Sequence, residues 1–214
     1  MLSGGVIAFG VAVEWIGRKL WRRLLRHRAG DLTVQSPGAG FNEALFSVLL
    51  RVPGVAAASP VVAVLVRLPG RERNLKLLGI DPFRAMQMQP ALAGAGASNE
   101  RQGQGLLAEN SIWLSPAAAQ LLELQAGGDL DVQVSLDRVR FRVAGVLPPG
   151  AYAQPVGVLD IGEAQWRLQR LGRLDRIDLR LAPQADREAG RHAIAALLPP
   201  GAQVVTPGEA TDDA

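Results

Sequence analysis

The segment SIWLSPAAAQLLELQAGGDLDVQVSLDRVRFRVAGVL, residues Ser111–Leu147, encodes a capped helix, a glycine turn and a two-stranded hairpin. Ser115 stands where an N-cap belongs, with Pro116 at the first helical position, where its missing N–H costs nothing. The spacing predicts a helix over Ala117–Leu124 that stops at Gly127-Gly128. Leu130, Val132 and Val134 then alternate with polar residues, as do Val139, Phe141 and Val143, so each strand has one buried face. Leu136-Asp137 is the predicted turn between them. The polar residues of this unit read as capping or solvent-facing, so it is a module built to pack and to make contacts.

Working outward, Asp31–Ser36 (DLTVQS) predicts a strand, and Phe41–Val52 a helix with Leu45, Val48, Leu49 and Val52 on one face. Val55–Pro60 leads into a strand at Val61–Leu68, Gly70 turns the chain, and Leu75–Ile80 returns as its hairpin partner. Ala91–Gly105, rich in Ala, Gly, Ser and Gln, reads as a mobile linker. Beyond the central module, Pro148-Pro149-Gly150 closes the unit. A strand at Val156–Asp160, a helix at Ile161–Leu171, a strand at Leu174–Leu181, a helix at Asp186–Leu198 and a last strand at Ala202–Val205 follow. Two β-α-β-type halves therefore flank an inserted, mainly β module, which makes the fold class α+β.

Composition sets the remaining bounds. The chain has 214 residues, enough for one large domain or two small ones, and 48 % are hydrophobic, which supplies a core. Aromatic residues are only 5 %, so packing rests on Leu, Val and Ala. There is no cysteine, which excludes disulfides, thiolate metal sites and cysteine nucleophiles. The formal net charge is +3, yet Arg18, Lys19, Arg22, Arg23, Arg26 and Arg28 alone contribute +6, which leaves −3 for the rest. Basic character confined to one end argues against a nucleic-acid-binding surface.

That basic end has its own pattern. Leu2–Val13 is almost wholly apolar, but shorter than the about 18–20 residues that span a bilayer. It reads as the end of a transmembrane helix or as a buried helix; basic residues follow it instead of preceding it, unlike a signal peptide. Next, Ile16, Leu20, Trp21, Leu24 and Leu25 fill one half of a helical wheel, and Arg18, Lys19, Arg22, Arg23 and Arg26 the other. With Trp15 adjoining, this basic amphipathic helix fits a membrane-proximal position, aromatic and Arg side chains at the headgroups. The membrane-proximal residues are thus Trp15, Arg18, Lys19, Trp21, Arg22, Arg23 and Arg26.

No constellation argues for catalysis. Gly38-Ala39-Gly40 lies between a strand and a helix, but Glu43 puts a negative charge where a dinucleotide's pyrophosphate would sit, and there is no Walker pattern. The sequence therefore assigns no cofactor-binding residue. The two histidines, His27 and His192, have no partner at metal-ligand spacing, so no metal site is expected. No GxSxG occurs, and no serine has an identifiable base. Asp129 with Asp131, and Asp175 with Asp178, are carboxylate pairs whose alternation with Leu130, Ile177 and Leu179 reads as solvated strand faces. Asp212-Asp213 reads as a disordered end.

Taken in order, GVIAFGVAVEWI, LLGIDPF, the module LSPAAAQLLELQAGGDLDVQV…FRVAGVL, VGVLDIGEAQWRLQRLGRLDRIDLRL and GAQVVTP resemble the extracytoplasmic core domain of MacB/FtsX-like ABC transporter permeases. The resemblance covers about Gly4–Pro207. It implies a membrane-proximal segment at 1–30, a discontinuous α+β subdomain at 31–90 and 148–207, an inserted small subdomain at 91–147 and a tail at 208–214. It implies no catalytic residue and no cofactor. Expected partners are the membrane, an ABC ATPase subunit, a second permease copy and a lipoprotein, lipid or peptide substrate. The expected location is the cytoplasmic (inner) membrane, with the domain facing the periplasm or cell exterior. A stand-alone membrane-anchored binding module without ATP coupling is the competing reading, and a small hydrolase a third that lacks a convergent polar pocket in the sequence.

Overall fold

The computed structural model describes residues 31–36, 40–70, 73–89, 92 and 108–206. Its framework is a mixed sheet grown around one long strand, β3 (Val55–Arg67), rich in Val and Ala. After the turn at Gly70 (φ 75), β4 (Asn74–Ile80) returns antiparallel, in register from Val61↔Ile80 to Arg67↔Asn74. β8 (Val156–Asp160) lies parallel to β4. Beyond it come β5 (Ser111–Leu114), β7 (Asp137–Val146) and β6 (Asp129–Val134). On the other side of β3 lie β10 (Arg176–Leu181), β1 (Leu32–Gln35) and β11 (Gln203–Val205). β6 also bridges back to β3 at Arg67↔Gln133, so the six strands from β3 to β6 close on themselves. A separate two-stranded ribbon joins β2 (Phe41–Asn42) to β9 (Arg173–Leu174).

Among the described residues, five short helices dress this sheet: α1 (Ala44–Leu49), α2 (Pro82–Met88), α3 (Pro116–Leu122), α4 (Ile161–Arg167) and α5 (Arg187–Ala195). Four begin on a side-chain cap: Asp81, Ser115, Asp160 and Asp186 each accept backbone N–H groups of the first turn. Strand alternation sends Val62, Leu75 and Leu77 into one apolar cluster and Val61, Leu78 and Ile80 into another. The larger cluster is completed by α1, α3, α4 and α5 through Leu49, Ala118, Ala164 and Ile194, the smaller by Ala85 of α2 and by Trp113, Ala144 and Leu147. α4 lies directly on β4, because Gly79 has no side chain; a Cβ there would stand 2.2 Å from that of Ala164.

The α+β class and the order of elements agree with the sequence reading. Several boundaries differ, each for a physical reason. β3 begins at Val55 and runs through Pro60 instead of starting after it. Pairing with β10 covers Val55–Val61 and pairing with β4 starts only at Val61, so Pro60 lies where one flank is unpaired and a missing N–H is tolerated. The predicted helix Phe41–Val52 is shortened to six residues, because Phe41 and Asn42 pair with β9, and Asn42 Oδ1 accepts the Ala44 N–H at 2.8 Å. Leu49 and Val52 are buried as expected, whereas Val48 is exposed. The predicted strand Leu174–Leu181 breaks at Asp175 into β9 and β10. The hairpin turn is Ser135-Leu136, one residue earlier than predicted: Val134 pairs with Asp137, and Ser135 takes the positive φ (54) that a two-residue hairpin turn requires.

Candidate functional site

The most polar part of the interior is built by three neighbouring strands. The registers of β1 with β10 and of β10 with β3 place Thr33, Asp178 and Ser59 in one row across the sheet. All three are buried. The Thr33 hydroxyl donates to Asp178 Oδ1 at 3.1 Å, and Arg176 Nη2, two residues along β10, lies 3.2 Å from Oδ2. Both oxygens of the carboxylate are therefore engaged. Arg180, two residues the other way, donates from Nη2 to the Met88 carbonyl at 3.1 Å and ties β10 to the end of α2.

Over this row lies a small pocket lined by Ser59, Ile80, Met88, Tyr152, Arg176 and Asp178 among others. It is partly open to solvent and has room for roughly one water molecule. Burial, opposed by Arg176 and reinforced by Asp178, pushes the Tyr152 phenol up to about 12. Lys76, on the same sheet face, is held below its ordinary range by burial and then by the positive charge of Arg176.

The carboxylate pairs fare differently from one another. Asp131 and Asp129 form ion pairs with Arg140 (2.7 Å) and Arg142 (3.1 Å) on an exposed face, as the alternation predicts. The hydrogen bond from Arg140 holds the Asp131 carboxyl low. Asp175 and Asp178 are not solvated, contrary to the sequence reading. Asp178 lies in the buried row. Asp175 Oδ2 accepts the Ala63 N–H at 2.8 Å, and Oδ1 pairs with Arg170. β10 ends at Arg176 while β3 continues, so the Asp175 side chain replaces a strand as partner for Ala63. One signal was available in the sequence. Residues 175 and 178 have opposite parity, so they cannot share a strand face, and a continuous strand would have put Asp175 on the apolar face with Ile177 and Leu179.

A second polar constellation fastens the β6–β7 hairpin. Ser135 Oγ donates to Gln169 Oε1 at 3.3 Å, and Gln169 Nε2 donates to Asp137 Oδ2 at 3.0 Å. Arg167 donates from Nη1 to the Arg140 carbonyl at 2.8 Å and lies 5.2 Å from the centroid of the Phe141 ring. Ser135 and Gln169 both have left-handed φ values, 54 and 58. Nothing in the sequence linked these two segments.

His192 is exposed on α5, 4.0 Å from Glu188. Among the described residues no group of three His, Cys, Asp or Glu side chains could hold a metal ion, and no helix is long and apolar enough to cross a membrane. The membrane-proximal residues Trp15, Arg18, Lys19, Trp21, Arg22, Arg23 and Arg26 lie outside the described residues. So do His27, Gly38-Ala39, residues 93–105 of the predicted linker, and the tail with Asp212-Asp213.

Comparison with known proteins gives the fold its context. The profile of the MacB-like periplasmic core domain matches residues 4–197. Among solved structures, the periplasmic region of MacB from Actinobacillus actinomycetemcomitans is similar at a TM-score of 0.59 and 12 % identity, over 87 % of this chain and 93 % of that one. The extracellular domain of the noncanonic ABC-type transporter YknZ from Gram-positive bacteria is similar at 0.57 and 14 % identity, over 82 % and 98 %. No curated protein matches the sequence. With an α+β fold built on one mixed sheet and a profile match over most of its length, the chain belongs to the MacB-like periplasmic core domain family, extracytoplasmic domains of ABC transporter permeases.

Proposed function

We propose that this domain couples ATPase-driven motion of a membrane-embedded permease to the handling of a lipoprotein, lipid, peptide or partner protein outside the cytoplasm. The observation that carries this reading is the pairing of β1 with β11, Thr33↔Val205 to Gln35↔Gln203. The first and last described strands are neighbours at one edge of the sheet, so the domain is held at two adjacent points. Movement of flanking helices then turns the sheet as a rigid body. Segments 31–90 and 148–207 form the base, and 91–147, ending in the β6–β7 hairpin, the part carried by it.

In this reading Trp15, Arg18, Lys19, Trp21, Arg22, Arg23 and Arg26 form an amphipathic helix on the membrane surface, apolar face in the headgroup region. The domain itself performs no chemistry; ATP is hydrolysed by a separate nucleotide-binding subunit, and a second permease copy is a further partner. The test is the intact mass of the native product extracted from its own membranes. A species far heavier than 22.7 kDa, resistant to salt and co-purifying with an ATPase, is expected. A species of 22.7 kDa released by salt alone would overturn the transporter reading.

A further inference from the structure

We propose that the outer face of the sheet around Arg67 and Arg138 docks an acidic segment of a partner protein. The registers of β4 with β3, β3 with β6 and β6 with β7 set Asn74, Arg67, Gln133 and Arg138 in one row across four strands. All four residues are exposed. Among the described residues neither arginine has an ion-pair partner. Asp131 feels the charge of Arg138, but both of its oxygens are already bonded to Arg140. Alternation places Leu65, Lys76, Asp131, Arg140, Asp129 and Arg142 on the same face. The two aspartates are paired with Arg140 and Arg142. Arg67, Lys76 and Arg138 are therefore left without a matching carboxylate among the described residues.

Charge and position select the partner. Positive charge in excess on an open face calls for a surface of opposite sign. Arg67 and Arg138 stand two strands apart, roughly 10 Å, so they suit carboxylates spread along a chain better than one small anion. Leu65, 66 % exposed beside Arg67, gives the same segment an apolar contact. Place then separates a protein from a lipid surface. From Ser59, level with Thr33 and Val205, β3 advances roughly 26 Å to Arg67. β1 begins and β11 ends on the side away from Arg67, so the flanks of the chain leave the sheet far from this row. The choice of a protein over the membrane, unlike the acidic chemistry, rests on the transporter reading of those flanks.

The test titrates a fluorescein-labelled helical peptide of Glu, Ala and Leu with the full chain and follows anisotropy; co-sedimentation with phosphatidylglycerol vesicles runs beside it. Because the basic segment Arg18–Arg28 also attracts acids, the readout is the difference between variants. Replacing both Arg67→Ala and Arg138→Ala is expected to weaken peptide binding about tenfold. Tm stays the same, since both side chains are exposed. Arg51→Ala, which removes an exposed arginine elsewhere, leaves binding unchanged. Affinity unaltered in the double variant, or an equal loss in Arg51→Ala, overturns the proposal. A loss confined to the vesicles assigns the face to lipid and overturns the protein partner, whereas failure of the transporter reading shows in the intact mass instead.

Discussion

Replacing Ser115 by alanine removes more than a helix cap. The side chain is fully buried, and its Oγ accepts the Ala118 N–H at 3.1 Å, accepts the Val156 N–H at 3.0 Å and donates to the Gln154 carbonyl at 2.9 Å. One atom therefore starts α3 and fastens it to the beginning of β8, 41 residues further along the chain. Loss of an ordinary N-cap costs about 1 kcal/mol on substitution by Ala and only a few tenths by Gly. Here either substitution also leaves the buried Val156 N–H unpaired, which costs about 1–3 kcal/mol, while the Gln154 carbonyl, on an exposed residue, can turn to water. The expected loss is about 3 kcal/mol for Ser115→Ala and nearly as much for Ser115→Gly. At about 2–4 °C per kcal/mol for a chain of this size, Tm falls by roughly 6–12 °C. Urea unfolding of both variants checks this, with the midpoint lowered and the slope unchanged. A loss of about 1 kcal/mol for Ala and a few tenths for Gly would refute the brace and leave an ordinary cap.

Further expectations rest on other contacts. Gly79→Ala places a methyl 2.2 Å from the Ala164 Cβ and should destabilise by about 1–3 kcal/mol; adding Ala164→Gly recovers part of it, and strict additivity in the double-mutant cycle would count against direct packing of α4 on β4. Because the Tyr152 pKa is raised in the folded state from 10.0 to about 12, the stability it contributes is intact below pH 10 and is lost as pH rises towards 12. Ultraviolet titration of this single tyrosine should show a midpoint near 12 in the native protein, and a midpoint near 10 would contradict the burial. Gln169→Gly relieves a left-handed φ of 58 but deletes both side-chain bonds to the β6–β7 turn. Amide exchange should therefore quicken at residues 133–138 and stay unchanged in β1 and β10; equal change in both would refute a local fastening.

The sequence by itself determined what depends on a few neighbouring residues. Ser115-Pro116 starts a helix, and Leu130, Val132 and Val134 face inward, because capping and strand alternation act through backbone groups within one or two turns of chain. The hairpins of β3 with β4 and of β6 with β7 were legible for the same reason, and the order of segments carried the family resemblance. Alternation states which way a side chain points, but not which strand is laid beside it. Only the tertiary structure decided that β5 lies between β7 and β8, that Asp175 serves Ala63, and that Ser115 also holds β8. The pocket is the clearest case. Thr33 and Asp178 are 145 residues apart, and Ser59 and Tyr152 come from two further segments. Whether an aspartate on a strand is solvated or bonded depends on the strand packed against it, and that neighbour is chosen by the whole fold.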